Sequence, residues 1–169
     1  EQQLFRDAVA KFVQNEYSFA ARKTIVASPQ GWSAEVWAQL AAMGLLGVPL
    51  AEADGGLGGT GIDLLVLMQE LGRGIGVEPY LATVVLGGGA VAIAGSAAQR
   101  KALLPGVGAG ERQLPLAYGE PQSPHALQDV TTTARRDGAG HVLSGKKAVV
   151  LNGATADTHV VSARTAGAQ

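Results

Sequence analysis

The side chains able to do chemistry are few and widely spaced. His125, His141 and His159 lie too far apart to form a local metal motif, such as two ligands four residues apart on one helix face. His141 and His159 fall in strand-like runs, where a half-exposed imidazole is the ordinary case. With no cysteine, the chain has neither a disulfide framework nor a thiolate nucleophile. It also lacks a G-x-S-x-G elbow, so covalent hydrolase chemistry has no support. No metal site is expected.

The stretch 55–63, GGLGGTGID, is the other place where chemistry could reside, because glycine-rich turns ahead of helices can offer backbone amides to phosphate. No Lys-Ser/Thr pair follows it, and Pro49 interrupts the segment where a dinucleotide fold would need its first strand. A structural turn is the better reading. Lysines and arginines are scattered, the formal charge is -1, and the pair Lys146 and Lys147 reads as a solvated strand end. Nucleic acid is therefore not an expected partner.

The elements that must carry these residues fall into two groups. Leu4, Phe5, Ala8, Val9, Phe12 and Val13 recur at three- and four-residue steps and predict an amphipathic first helix. Ser33 caps a helix striped by Val36, Trp37, Leu40 and Ala41. Thr60 and Asp63 have capping-box spacing before Ile62, Leu65, Val66, Gln69 and Leu71. The tract 79–95, which contains three consecutive glycines, is marginal for a bilayer needing about 20 apolar residues and reads as a buried helix. Ser96 and Gln99 cap a basic helix expected to end at Leu103, Leu104 and Pro105. Leu4, Phe5, Trp37, Leu40, Leu65 and Leu71 are the expected core.

Beyond Pro105 the pattern changes to short runs rich in β-branched residues, at 114–118, 130–134, 141–143, 148–151 and 159–162. Asp137-Gly138 predicts a hairpin turn. A boundary near Gly110 divides the chain into a helical domain, 1–112, and a partial β-domain, 113–169. The chain begins at Glu1 without Met or a secretory leader and is expected to be part of something longer. The absence of cysteine fits a reducing compartment, and a cytoplasmic location is expected.

The block 96–121, SAAQRKALLPGVGAGERQLPLAYGEP, sets a capped helix, a turn and a strand end in one order. Together with MGLLGVPLAEADGGLGGTGIDLLVLMQELGRG upstream and VLSGKKAVVLNGATADTHVVSART downstream, it resembles the acyl-CoA dehydrogenase family over nearly the whole chain. The resemblance implies an α+β multidomain fold. An N-terminal all-α helical domain would be followed by the first strands of a β-barrel-like middle domain, with the C-terminal helical bundle outside this chain. It also implies FAD-dependent desaturation of an acyl-CoA thioester at the α,β position, with FAD as the electron sink. Implied partners are the acyl-CoA substrate, electron-transfer flavoprotein or another electron acceptor, and a second copy or a homologous subunit. A membrane span is not expected.

In the family, a "Y-x-x-T-E-P" strand end, a "G-x-G-S-D" turn and a "W-x-T-N-G" strand surround the flavin. Glu120-Pro121 and Asn152-Gly153 match these motifs, and Gly145 matches the glycine of "NG-x-K". The departures are Leu116 at the Tyr position, Gly119 at the Thr position, Val149 at the Trp position and Leu151 at the second Thr position. His125 stands in place of the Ser in the turn 122–126. Leu116, Tyr118, Gly119, His125, Val149 and Leu151 are thus the cofactor-side positions that the resemblance implies. The departures remove two hydroxyls and an indole, each worth about 1 kcal/mol as a hydrogen bond or ring contact, while backbone donors remain. The family's carboxylate base lies in the bundle, beyond Gln169, so no catalytic residue is expected here and the chain alone is expected to be inactive and to hold FAD poorly. Two alternatives follow: a degenerate non-catalytic subunit paired with an active homologue, and a flavin-dependent oxidase or monooxygenase of the same fold.

Overall fold

A computed structural model describes residues 2–123 and 126–167. Six α-helices lead the described chain: α1 (Gln2–Glu16), α2 (Phe19–Val26), α3 (Ala34–Ala42), α4 (Gly61–Arg73), α5 (Gly89–Ala94) and α6 (Ala97–Gly108). A π-helical segment, Leu81–Gly88, runs directly into α5. Four short strands follow: β1 (Leu116–Ala117), β2 (Thr133–Asp137), β3 (Gly140–Ser144) and β4 (Val160–Val161).

Local chemistry sets the helix starts. Ser18 and Ser33 accept the amides of Ala21 and Val36, and full capping boxes form at Thr60 with Asp63 and at Ser96 with Gln99. The inward faces then share one core of Val9, Phe12, Trp37, Leu40, Leu46, Leu67, Leu71, Leu104 and Val107, among others. Two expected core residues fall outside it: Leu4 is 75% exposed and Leu65 is 56% exposed. At the level of Leu4, α1 meets α4 through polar groups, with Arg6 reaching Glu70 at 3.3 Å and Gln69 at 3.2 Å. Glu70 also binds Arg73 at 3.0 Å, so a buried carboxylate lies between two guanidinium groups. On α4 the inward face is Val66, Leu67, Glu70 and Leu71, which turns Leu65 outward. Phe5 is partly buried against the core.

Pro105 does not end its helix, contrary to the sequence expectation; α6 continues through it to Gly108. The carbonyl that loses an amide partner belongs to Lys101, and both Lys101 and Pro105 are exposed, so water can satisfy it. The glycine-rich turn is a packing device. A Cβ on Gly56 would lie 2.2 Å from the Leu50 carbonyl oxygen, and one on Gly59 would lie 2.7 Å from that of Val48. Among the described residues no helix is long and apolar enough to cross a membrane.

Beyond α6 the chain crosses the π-helical segment at Gly87, where an added Cβ would sit 1.5 Å from the Leu114 carbonyl oxygen. The Leu114 amide donates to Thr83 Oγ1 at 3.3 Å, which fixes the entry to β1. β1 pairs in parallel with β4, Leu116 opposite Val160. β2 and β3 form an antiparallel hairpin, turned at Gly138 with φ of 58°. The expected strand at 130–134 starts only at Thr133, because the amides of Thr131 and Thr132 are taken by the Glu120 carboxylate. The expected strand at 148–151 is irregular, since Val149 and Asn152 hold positive φ of 52° and 57° that break the pleat.

Candidate functional site

The site is built around Glu120, which is 2% exposed and lies just past β1. Its carboxylate accepts from Lys147 Nζ at 2.8 Å, from the amides of Thr131 at 2.8 Å and Thr132 at 3.0 Å, from Gln122 Nε2 at 2.8 Å, and from the Thr131 hydroxyl. The Lys147 ammonium first, and the Thr131 hydroxyl next, hold the Glu120 carboxyl far below the usual carboxylate range. Lys147 also donates to Ser162 Oγ at 2.9 Å and to the Tyr118 carbonyl at 3.3 Å. Its side chain is 10% exposed, so the expectation of a solvated lysine pair is corrected at Lys147. Charge complementarity across the β-segments draws it inward.

This tie places two stretches side by side. The Ala148 amide donates to the Gly119 carbonyl at 2.9 Å, and a Cβ on Gly119 would come within 3.1 Å of the Ala148 oxygen. Between them opens a groove of about 320 Å³ lined by Tyr118, Gly119, Glu120, Pro121, Ala148, Val149 and Leu151. Of the positions picked out in the sequence, Tyr118, Gly119, Val149 and Leu151 thus converge on one groove. Leu116 lies on β1 opposite Val160 and is not among the lining residues, and His125 lies outside the described residues. The other two histidines are apart from the groove: His141 is exposed on β3, and His159 Nε2 contacts the Gly153 carbonyl at 3.0 Å. Among the described residues no His, Cys, Asp and Glu cluster is placed to hold a metal ion.

Gln113, Thr155 and Trp32, which carry no signal in the sequence, tie Asn152, next to the groove residue Leu151, to the segments flanking α6 and α3. Asn152 Nδ2 donates to Gln113 Oε1 at 2.7 Å, Thr155 donates to Asn152 Oδ1 at 2.7 Å, and Trp32 Nε1 donates to Thr155 at 3.3 Å. Only the Asn152-Gly153 motif match pointed in this direction; the Thr155 to Trp32 link spans 123 residues and has no local signal.

The groove suits part of a flavin. A cavity of about 150 Å³ already admits a benzene-sized guest, so 320 Å³ has room for a planar ring system and not for a whole dinucleotide. Tyr118, Val149 and Leu151, 42%, 89% and 48% exposed, offer apolar surface, and Gly119 lets a ring approach the backbone. Among the described residues no carboxylate in the groove is free to act as a base, because Glu120 is committed to Lys147 and the threonines.

The family description "Acyl-CoA dehydrogenase, N-terminal domain" matches residues 1–111. Acyl-CoA dehydrogenase FadE12 of Mycobacterium tuberculosis is 32% identical over 155 residues, covering 89% of this chain and 38% of that protein. The solved Tcur3481-Tcur3483 steroid ACAD G363A variant superposes with a TM-score of 0.85 at 35% identity, over 96% of this chain and 44% of that one. Acyl-CoA dehydrogenase complexed with FAD from Bacillus anthracis superposes with a TM-score of 0.85 at 25% identity, over 96% of this chain and 28% of that one. The chain spans roughly two fifths of the curated relatives it matches. By its helical domain, its fold and its sequence, this chain belongs to the acyl-CoA dehydrogenase family.

Proposed function

We propose that this chain is the front part of an FAD-dependent acyl-CoA dehydrogenase that desaturates an acyl-CoA thioester at the α,β position, with 1–112 as helical domain and 113–169 as the start of the middle β-domain. The observation that carries this reading is the groove held open by Glu120 and Lys147 in a chain of this family. Bound there, FAD would supply the sink for the electron pair. Tyr118, Gly119, Ala148, Val149 and Leu151 would hold the ring, mainly through backbone groups, and the side chains of Tyr118, Val149 and Leu151 would shield it from water. The proton acceptor comes from the rest of the protein, and electrons pass on to electron-transfer flavoprotein or another acceptor.

A second reading, a non-catalytic subunit paired with an active homologue, is favoured by one observation. Gly119 and Leu151 bring no hydroxyl to the groove, and Val149 stands 89% exposed where an indole would cover the ring. The pairing of two proteins in the name of the Tcur3481-Tcur3483 relative suits it as well. Visible absorbance of the purified full-length protein separates the two. Bound flavin that bleaches on adding acyl-CoA supports the enzyme; colourless protein that also takes up no added FAD refutes it and supports the paired subunit.

A further inference from the structure

A cleft of about 650 Å³ lies between α3 and the segments 109–113 and 155–157. It shares no lining residue with the groove at Gly119. Ala34, Ala38, Ala41 and Ala42 of α3 give it a floor of small side chains, and Trp32 and Trp37 supply an aromatic wall, their rings edge to face with centroids 6.4 Å apart. Trp37 is fixed there by its Nε1, which donates to the Gly110 carbonyl at 2.9 Å.

One hydrogen-bond chain ends in this cleft. The Trp32 indole can only donate, and it gives its hydrogen to Thr155 Oγ1 at 3.3 Å. Thr155 donates to Asn152 Oδ1 at 2.7 Å, and Asn152 Nδ2 donates to Gln113 Oε1 at 2.7 Å. The last member, Gln113, is 6% exposed and lines the cleft. With its oxygen held by Asn152, its Nε2 is left with two hydrogens and no partner among the described residues. That nitrogen is open to the cleft and not sealed, because the sealed unpaired side-chain atoms of the described residues belong to Tyr17, Glu78, Arg112 and Thr132.

The rim carries charge of one sign. Glu111 and Asp157 line the cleft, both exposed, and neither has an ion pair or a side-chain hydrogen bond among the described residues. No lysine or arginine lines the cleft. An anion at the Gln113 donor would therefore meet repulsion from the rim, whereas a carbonyl oxygen beside a cation fits both. Ala34, Ala38 and Ala42 are exposed, so the floor is open, which suits a polypeptide laid along it better than a free small molecule that a pocket must largely enclose.

We propose that this cleft docks a basic segment of a partner polypeptide. A lysine or arginine stem lies on the alanines and the Trp32 ring, its cation meets Glu111 and Asp157, and a backbone carbonyl of the segment accepts from Gln113 Nε2. The proposal goes beyond the flavin reading and does not depend on it.

The test is calorimetric titration of the full-length protein with the capped peptide acetyl-Leu-Ala-Lys-Ala-Leu-amide and with its norleucine counterpart, which keeps the stem and lacks the charge. The lysine peptide should bind about tenfold more tightly at low salt, an advantage that shrinks as salt is added. Glu111→Gln combined with Asp157→Asn should erase the preference without lowering Tm, because neither carboxylate has a partner to lose. Ala38→Leu, at an exposed site on the floor, should abolish binding of both peptides. No binding of either peptide, equal binding of the two, or a preference that survives the double substitution or Ala38→Leu overturns the inference. So does butylamine binding as tightly as the lysine peptide, which would mark a site for small amines and not for a polypeptide.

Discussion

The crossing of Gly87 over Leu114 fixes where the helical half hands the chain to β1, and a paired substitution tests it. Glycine to alanine in a helix normally gains about 0.5–1 kcal/mol, from lower backbone entropy in the unfolded chain. At Gly87 that gain is opposed. The new methyl would sit 1.5 Å from the Leu114 carbonyl oxygen, an overlap that rotation of a side chain cannot relieve because both partners are backbone. Forcing such contacts costs about 1–3 kcal/mol or more, so the clash outweighs the propensity and Gly87→Ala should destabilise. Gly89, two residues on in the same rod, is the control, since its added Cβ would meet nothing within 4 Å. Gly89→Ala should stabilise by the propensity alone. The propensity gain is common to both and cancels, so the two variants should differ by the clash alone, about 1–3 kcal/mol or more, roughly 2–12 °C in Tm at this size. Urea midpoints and thermal melts followed by circular dichroism measure the difference. A Gly87→Ala protein at least as stable as Gly89→Ala would refute the crossing, and with it the placement of β1 against the helices.

Leu40→Ala, at a site with no solvent exposure, should cost about 2–5 kcal/mol by urea denaturation, whereas Leu4→Ala should stay within about 0.5 kcal/mol. Equal losses would mean that α1 buries a face other than the one described. The Glu120 carboxyl titrates in the folded protein below its ordinary value of 4.5, so its contribution to stability is complete above that pH and is lost as pH falls through and below it. Glu120→Gln should therefore flatten the acid side of the stability profile, and a variant with the parent's acid slope would place the carboxylate away from Lys147.

What could be read from the sequence follows the range of each interaction. The boxes at Thr60 and Ser96 close over three residues, so the letters alone specify them. Leu4 and Leu65 fit apolar stripes as well as Val9 and Leu67 do, yet a stripe does not say where a polar contact such as Arg6 to Glu70 replaces packing. Pro105 departs from the sequence expectation for a related reason. The cost of a proline within a helix depends on whether the orphaned carbonyl is wet, and exposure belongs to the tertiary structure. In the β-region the run 148–151 has strand-like composition, but its register is set by Lys147 reaching Glu120, 27 residues away.

The same distinction bears on the departures at the groove. The groups that shape it are the Glu120 carboxylate, the Lys147 ammonium and the backbone pairing of Gly119 with Ala148, and the first two stand where the family motifs place a Glu and a Lys. Val149 and Leu151, which depart from those motifs, are largely exposed and could change without disturbing the buried ties. A frame stitched by buried charge and backbone bonds can keep its shape while its walls vary, because the energy that sets the shape does not pass through the wall side chains. The frame therefore sets the groove, and the walls set what the groove can hold. If the groove holds flavin as proposed, the difference between an active flavoenzyme and a non-catalytic subunit would lie in the walls, where each missing hydroxyl or ring contact would weaken binding by about 1 kcal/mol and leave the fold untouched.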